Sequence, residues 1–195
     1  MSTSVMSSTA RTAQAARGAR TLDVSRMRRP DRWLAGLRVV VGIWFLKSLL
    51  TKLAVGLAAG VVPVPVASPR WVATMPKLLG RYMAENPFPW YKQFVTDTVL
   101  THGTTFATLT ALGEVAVGIG LTFGLLTGIS AVVGALLVIF YGLAVQHMGP
   151  TQQGFHVLLF ACMIAFIGAR AGRTWGLDGW LRDRYPNSYG RVPLT

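Results

Sequence analysis

A carboxylate stands inside an apolar run. Thr110-ALGEVAVGIGLTFGLL-Thr127 is long enough to cross a bilayer, and Glu114 sits near its middle. A charge at mid-membrane costs about 2.5–3.5 kcal/mol on insertion scales, so Glu114 must face protein or water. Ala107, Thr110, Ala111 and Gly118 share its stripe by i±3 and i±4 spacing. Small residues let another backbone approach closely, so the carboxylate is expected in a helix–helix contact. Gly120, Gly124 and Gly128 continue the theme at GxxxGxxxG spacing.

Such a group needs a partner. The segment WFLKSLLTKL offers Lys47, Ser48, Thr51 and Lys52 on one polar arc. Counting 1.5 Å per residue from a common outer end, Glu114 lies roughly 15 Å deep and Lys47 roughly 10 Å deep. The expectation is a Lys47–Glu114 pair, with Lys52 nearer the outer surface. The pair is either a structural salt bridge or a centre that handles protons or quinone. Tyr141, His147 and His156 fall at the same outer level, and Trp44, Phe45 and Tyr141 could flank a quinone ring. Lys52, Trp44, Tyr141, His147 and His156 are therefore the candidate cofactor-binding set, with Glu114 and Lys47 the candidate catalytic pair. His147 and His156 sit at helix ends by a short turn, and no haem is expected from them. No clustered His or carboxylate spacing suggests a metal site. Cys162 is the one cysteine, which rules out a disulfide within the chain and a CxxC redox pair.

The elements that must position these residues follow from composition. The 195-residue chain is 52% hydrophobic and only 13% charged, about half the charge of a soluble domain. It is read as an all-α membrane protein, a four-transmembrane-helix bundle forming one domain. The spans are expected at about Trp33–Ala54 (with an extension to Gly60 left open), Thr104–Leu126, Gly128–Gln146 and Gly154–Ala171. VVPVPVASP should be extended. Ser68-Pro69 should start a helix carrying Trp71, Met75, Leu78, Leu79 and Tyr82, which Pro76 should kink or split. Trp90, Tyr91, Phe94, Val95, Thr98 and Val99 form a second amphipathic face. Both are expected as interfacial helices in the outer loop, with a third at GLDGWLRDRY placing Trp175, Leu177, Trp180 and Leu181 toward lipid. GPTQQG is expected as a tight turn.

Charge sets the orientation. The net charge is +12. Seven arginines precede the first apolar run and five follow or end the last, which puts both termini in the cytoplasm of a multi-pass cell-membrane protein. Trp33, Trp175 and Trp180 then mark the inner interface, and Trp71, Trp90 and Tyr91 the outer one. Residues 1–32 are read as a disordered basic arm, rather than as the transit peptide that they resemble in composition, and 184–195 as a tail. No nucleic-acid motif accompanies the basic residues; the bilayer is the expected partner. The outer loop holds Arg70, Lys77, Arg81, Lys92 and His102, which could attract an anionic substrate.

RVVVGIWFLKSLLTKL, ENPFPWYKQFV, FATLTALGEVAVGIGLTFGLLTGISAVVGALLVIFYGLA and GARAGRTWGLDGWL together resemble the DoxX/DoxD group, over about residues 33–183. The WYK…LGE…VGI run is most similar to the DoxD branch. That resemblance implies a four-helix membrane subunit of a thiosulfate:quinone oxidoreductase, working with quinone beside a second subunit. The motif positions it carries over are Lys52, Glu114, Gly118, Gly172, Arg173 and Asp178. The residues themselves show no sulfur chemistry and no ligand set for a redox centre. Two other functions stay open: a non-catalytic anchor or assembly subunit of another complex, and a small proton-coupled transporter hung on Glu114.

Overall fold

The computed structural model describes residues 30–58, 61–187 and 189. The basic arm therefore lies outside the described residues up to 29, as does most of the C-terminal tail. The first span is helix α1, Pro30–Thr51. It ends earlier than its apolar run does, because the chain turns at Lys52 into an antiparallel hairpin of β1, Leu53–Ala58, and β2, Val62–Ala67. β-Branched Val and the two prolines of VPVPVA favour extended backbone, so the expected extended segment is one arm of a paired ribbon.

Helix α2, Pro69–Ala84, follows at once. Ser68 caps it by accepting from the Trp71 N–H at 3.2 Å, and Pro69 takes the first position. Pro76 lies inside α2, so of the kink or split expected there the split does not occur. Helix α3, Pro89–Phe94, runs into a π-helical stretch, Val95–Leu100. Then come α4, Gly103–Phe123, α5, Thr127–Ala144, and α6, Pro150–Gly168. Pro150 opens α6, so the expected GPTQQG turn is mostly its first turn. A 3-10 turn, Ala171–Arg173, leads to the short helix α7, Leu177–Arg184.

Helices α1, α4, α5 and α6 are the four that are long and apolar enough to cross a membrane. They enclose a core of Val41, Phe45, Val117, Leu121, Val138, Met163 and Phe166. The face bearing the hairpin and α2 is the hairpin side; the opposite face, with α7, is the terminal side. A second core on the hairpin side joins Ala67, Met75, Met83, Tyr91, Val95 and Ala107. Trp71 and Tyr91 anchor this packing: the Trp71 indole N–H donates to Ala107 O at 3.1 Å and the Tyr91 hydroxyl to Phe140 O at 2.7 Å.

The α1–α4 contact is the closest in the bundle. A methyl group at Gly42 would meet the Thr122 backbone N at 2.5 Å, and one at Gly118 the Leu46 backbone N at 2.7 Å. These approaches pair residue 42 with 122 and 46 with 118, which sets α1 lower than α4. Leu50 comes level with Glu114, and α4 continues past the end of α1 by about 15 Å, ten residues at 1.5 Å each. β2 and α2 occupy that vacated space beside α4. The GxxxGxxxG spacing does not act as one helix face: Gly124 caps α4 in a left-handed conformation, φ 65°, and Gly128 belongs to α5.

Candidate functional site

Glu114 lies in α4 and is 5% exposed. Its stripe of Ala107, Ala111 and Gly118 is buried with it. The partner is Lys52, the residue directly after α1, not Lys47. Lys52 Nζ stands 2.7 Å from Oε1 and 2.7 Å from Oε2 of Glu114. The Tyr141 hydroxyl of α5 donates to Oε1 at 2.6 Å, and Ser48 Oγ donates to Oε2. Both carboxylate oxygens are thus satisfied by a cation and two hydroxyls from the other two helices that face it. The stagger of α1 explains the correction. The depth count assumed flush helix ends, whereas the real register brings Ser48 and Lys52, one turn apart on the same face, to the level of Glu114.

Aromatic side chains close this cluster. The Trp71 ring lies 4.3 Å from Lys52 Nζ and the Tyr141 ring 5.7 Å from it. Both rings turn their π faces toward the ammonium. The Lys52 carbonyl accepts from the Ser68 N–H at 2.7 Å, so the base of the hairpin and the cap of α2 hold the residue that holds Glu114.

Lys47 turns to the other side of α1. Its amine lies 4.6 Å over the Trp44 ring, and the Trp44 ring stands edge-on to Phe155 of α6, centroids 5.7 Å apart. These residues line a groove of about 670 Å³ between α1 and α6, with Val40, Ile43 and Leu159. Lys47 and Trp44 are exposed there. The expected catalytic pair is therefore divided between two places, Glu114 inside the bundle and Lys47 in an apolar groove.

The remaining candidates do not gather. His147 packs on Tyr82, ring centroids 5.4 Å apart, and His156 Nδ1 lies 2.8 Å from Gln152 O. Arg70, Lys77, Arg81, Lys92 and His102 are all exposed on the hairpin side, spread over α2, α3 and the turn before α4. Among the described residues no group of three or more His, Cys, Asp or Glu could hold a metal ion.

A second charged centre, on the terminal side, was not anticipated. Arg38 of α1 is 0% exposed and donates from Nη2 to Trp175 O at 3.0 Å. Asp178 of α7 is 1% exposed and accepts from the Leu126 N–H at 2.7 Å and the Thr127 N–H at 2.9 Å, capping α5 from a distance. The Tyr189 hydroxyl adds a bond of 2.5 Å to Asp178. Burial, with this bond to Asp178, pushes the Tyr189 hydroxyl up to about 12. Burial, with Arg170 and Arg182 beside it, pulls the Arg173 guanidinium below its ordinary value, and Asp178 opposes them.

Among the described residues, the three non-glycine residues with positive φ, Leu126, Arg170 and Trp175, all lie in these connections. Asp178 holds Leu126 there, and Arg38 holds Trp175. Gly172 and Gly176 leave the necessary room: a methyl group at Gly172 would collide with Asp178 and Thr127, one at Gly176 with the Gly172 carbonyl. Arg38 was legible as an arginine inside an apolar run, a signal equal to that of Glu114.

Compared with known proteins, residues 33–191 match the family described as TQO small subunit DoxD. No curated protein and no solved structure matches the chain.

Proposed function

The chain belongs to the DoxD family, and from that premise we propose that it is the membrane subunit of a quinone-linked oxidoreductase whose electron donor is thiosulfate. Four apolar helices and the family make it a multi-pass membrane protein. On the proposed orientation it lies in the cell membrane with both termini cytoplasmic and the hairpin side outward, as the arginine distribution favours.

The observation that carries the proposal is the Glu114 cluster: a carboxylate buried within a span and held by Lys52, Tyr141 and Ser48. Intramembrane ionisable groups mark proton and substrate pathways. Glu114 is the proton-holding group in this reading, and Tyr141 and Ser48 are the hydroxyls that pass a proton to or from it. Lys52 holds the carboxylate in place from the hairpin side.

The groove between α1 and α6 suits a quinone by its chemistry. Its walls are apolar, it has an aromatic pair in Trp44 and Phe155, and Lys47 is its one cationic donor. Its volume is in the range of ligand sites. A bound quinone supplies the acceptor for two electrons and two protons. Trp44 and Phe155 would hold its ring, and Lys47 would orient a carbonyl. On the outer surface Arg70, Lys77, Arg81, Lys92 and His102 raise the local concentration of a dianion such as thiosulfate.

Thiosulfate-dependent quinone reduction in membranes containing the whole complex tests this. Glu114→Gln should lower turnover at least tenfold with the complex assembled, and Trp44→Ala should raise the KM for quinone. Unchanged turnover in an assembled Glu114→Gln complex would refute the proton-handling role. One observation favours a second reading, a non-catalytic anchor: both Glu114 oxygens already have partners, as in a pair that only pins helices. On that reading Glu114→Gln lowers stability and leaves the turnover of intact complex unchanged.

A further inference from the structure

Among the described residues, the hairpin has one edge blocked by proline and one that no other strand covers. In the register of the pair, Leu57 faces Pro63 and Val55 faces Pro65, alternating with Ala54–Val66 and Gly56–Val64. Proline has no N–H to give, so the ladder bonds fall on the alternate pairs. The bond from the Ser68 N–H to the Lys52 carbonyl lies on that same set, which fixes the parity. The backbone groups of Leu53, Val55 and Leu57 therefore point away from β2, along the outer edge of β1. On the opposite edge Pro63 and Pro65 offer no donors, which blocks it against another strand.

Side chains complete the picture. From Leu53 to Ser68 the chain has no charged residue. Val55 is 78% exposed and Leu57 64%, and Val61 and Val62 are exposed beside them. Directly after the hairpin, α2 presents Arg70, Lys77 and Arg81, all exposed and within about 40° of one another on the helix at 100° per residue. Water satisfies the open amides and leaves the valines and leucine wet. Lipid covers those side chains and leaves the amides unbonded. An uncharged protein strand satisfies both.

We infer that the outer edge of β1 docks an extended, uncharged strand of the partner subunit, with acidic side chains of that subunit lying on Arg70, Lys77 and Arg81, which leaves Lys92 and His102 to draw the anion in the assembled complex. This rests on the reading of the chain as one subunit of a larger complex, which the small-subunit description of its family supports. The docking element begins at Lys52 and ends at Ser68, so the partner would grip both ends of the segment that positions Lys52 on Glu114.

The test uses the complex purified from its native membranes through a tag on this chain, with the ratio of the second chain to this one as the readout. Val55→Pro with Leu57→Pro removes two outward N–H groups and spares the inner ladder, as Pro63 and Pro65 do. The ratio should fall at least tenfold, while Val55→Thr keeps it. Arg70→Gln with Lys77→Gln and Arg81→Gln should make the ratio fall at a lower salt concentration. A photocrosslinking residue in place of Val55, in otherwise unaltered complex, should capture the second chain. That measurement does not depend on the proline variant folding. A wild-type ratio in the double proline variant, or a crosslink only to lipid or to another copy of this chain, overturns the inference. A second chain held through β1 in a complex that does not oxidise thiosulfate sustains the inference and strikes the proposed reaction instead.

Discussion

Removing Lys52 should harm the protein more than removing Glu114. In Lys52→Met the carboxylate keeps only the Tyr141 and Ser48 hydroxyls, at 5% exposure, with no cation beside it. Breaking one side of a buried pair costs about 3–5 kcal/mol, because the remaining charge is uncompensated. In Glu114→Gln the amide keeps the shape and an acceptor for one hydroxyl. The ammonium left behind is 21% exposed and rests on Trp71, so water reaches it. The cost there is about 1–3 kcal/mol, that of an unmade bond to a charged group. The double variant should then be more stable than Lys52→Met alone, with a coupling of about 3 kcal/mol, larger than what Glu114→Gln costs by itself. Chaotrope unfolding in lipid nanodiscs measures the three stabilities. If Lys52→Met is as stable as Glu114→Gln, or if the two changes add, the argument from burial asymmetry is wrong.

Further outcomes follow from other contacts. Gly118→Ala should lower stability by about 1–3 kcal/mol, since the added methyl meets Leu46 backbone, which cannot rotate away; a thermal unfolding midpoint reads this. Asp178→Ala should cost about 3–5 kcal/mol, because it uncaps α5 and leaves Arg38 without its counter-charge. Limited proteolysis should then cut first between residues 170 and 178. Burial pushes the Tyr91 hydroxyl up to about 12, so the folded state holds that proton more tightly than the unfolded chain does. Its contribution is complete below the ordinary tyrosine value of about 10 and is lost as pH rises through about 12. Alkaline unfolding should begin at lower pH in wild type than in Tyr91→Phe, relative to each protein's stability at neutral pH.

The spans were legible because their signal is cumulative: some twenty apolar residues outweigh any one side chain, and each of the four helices lies within a few residues of its apolar run. Glu114 was legible for the reason that charges in such runs are rare. Its partner was misassigned because register between helices is a tertiary quantity. Gly42 and Gly118 set it, and nothing local to WFLKSLLTKL says how far α1 slides along α4. The hairpin was missed as a pair because LAVGLAAG reads as a continuation of the span, while VPVPVA announces itself by proline. Pro76 misled in the opposite direction: α2 absorbs it within a helix seated on α4 and α5. Asp178 entered through the family resemblance alone, and its work on α5 appears only when residues 126 and 178 are brought together.

The downward displacement of α1 has a consequence for the surrounding lipid. A bilayer resting against α5 and α6 meets full-length helical walls, but around the end of α1, in the chain without its partner, it meets a ribbon edge whose outward amides are unbonded among the described residues, and two lysines. Acyl chains have no reason to stay there. The lipid surface should sink locally, like a meniscus, and carry headgroups and water toward Lys52 and Lys47. Membrane thickness then becomes a control on the charged centre: thin bilayers expose it, and thick ones seal it.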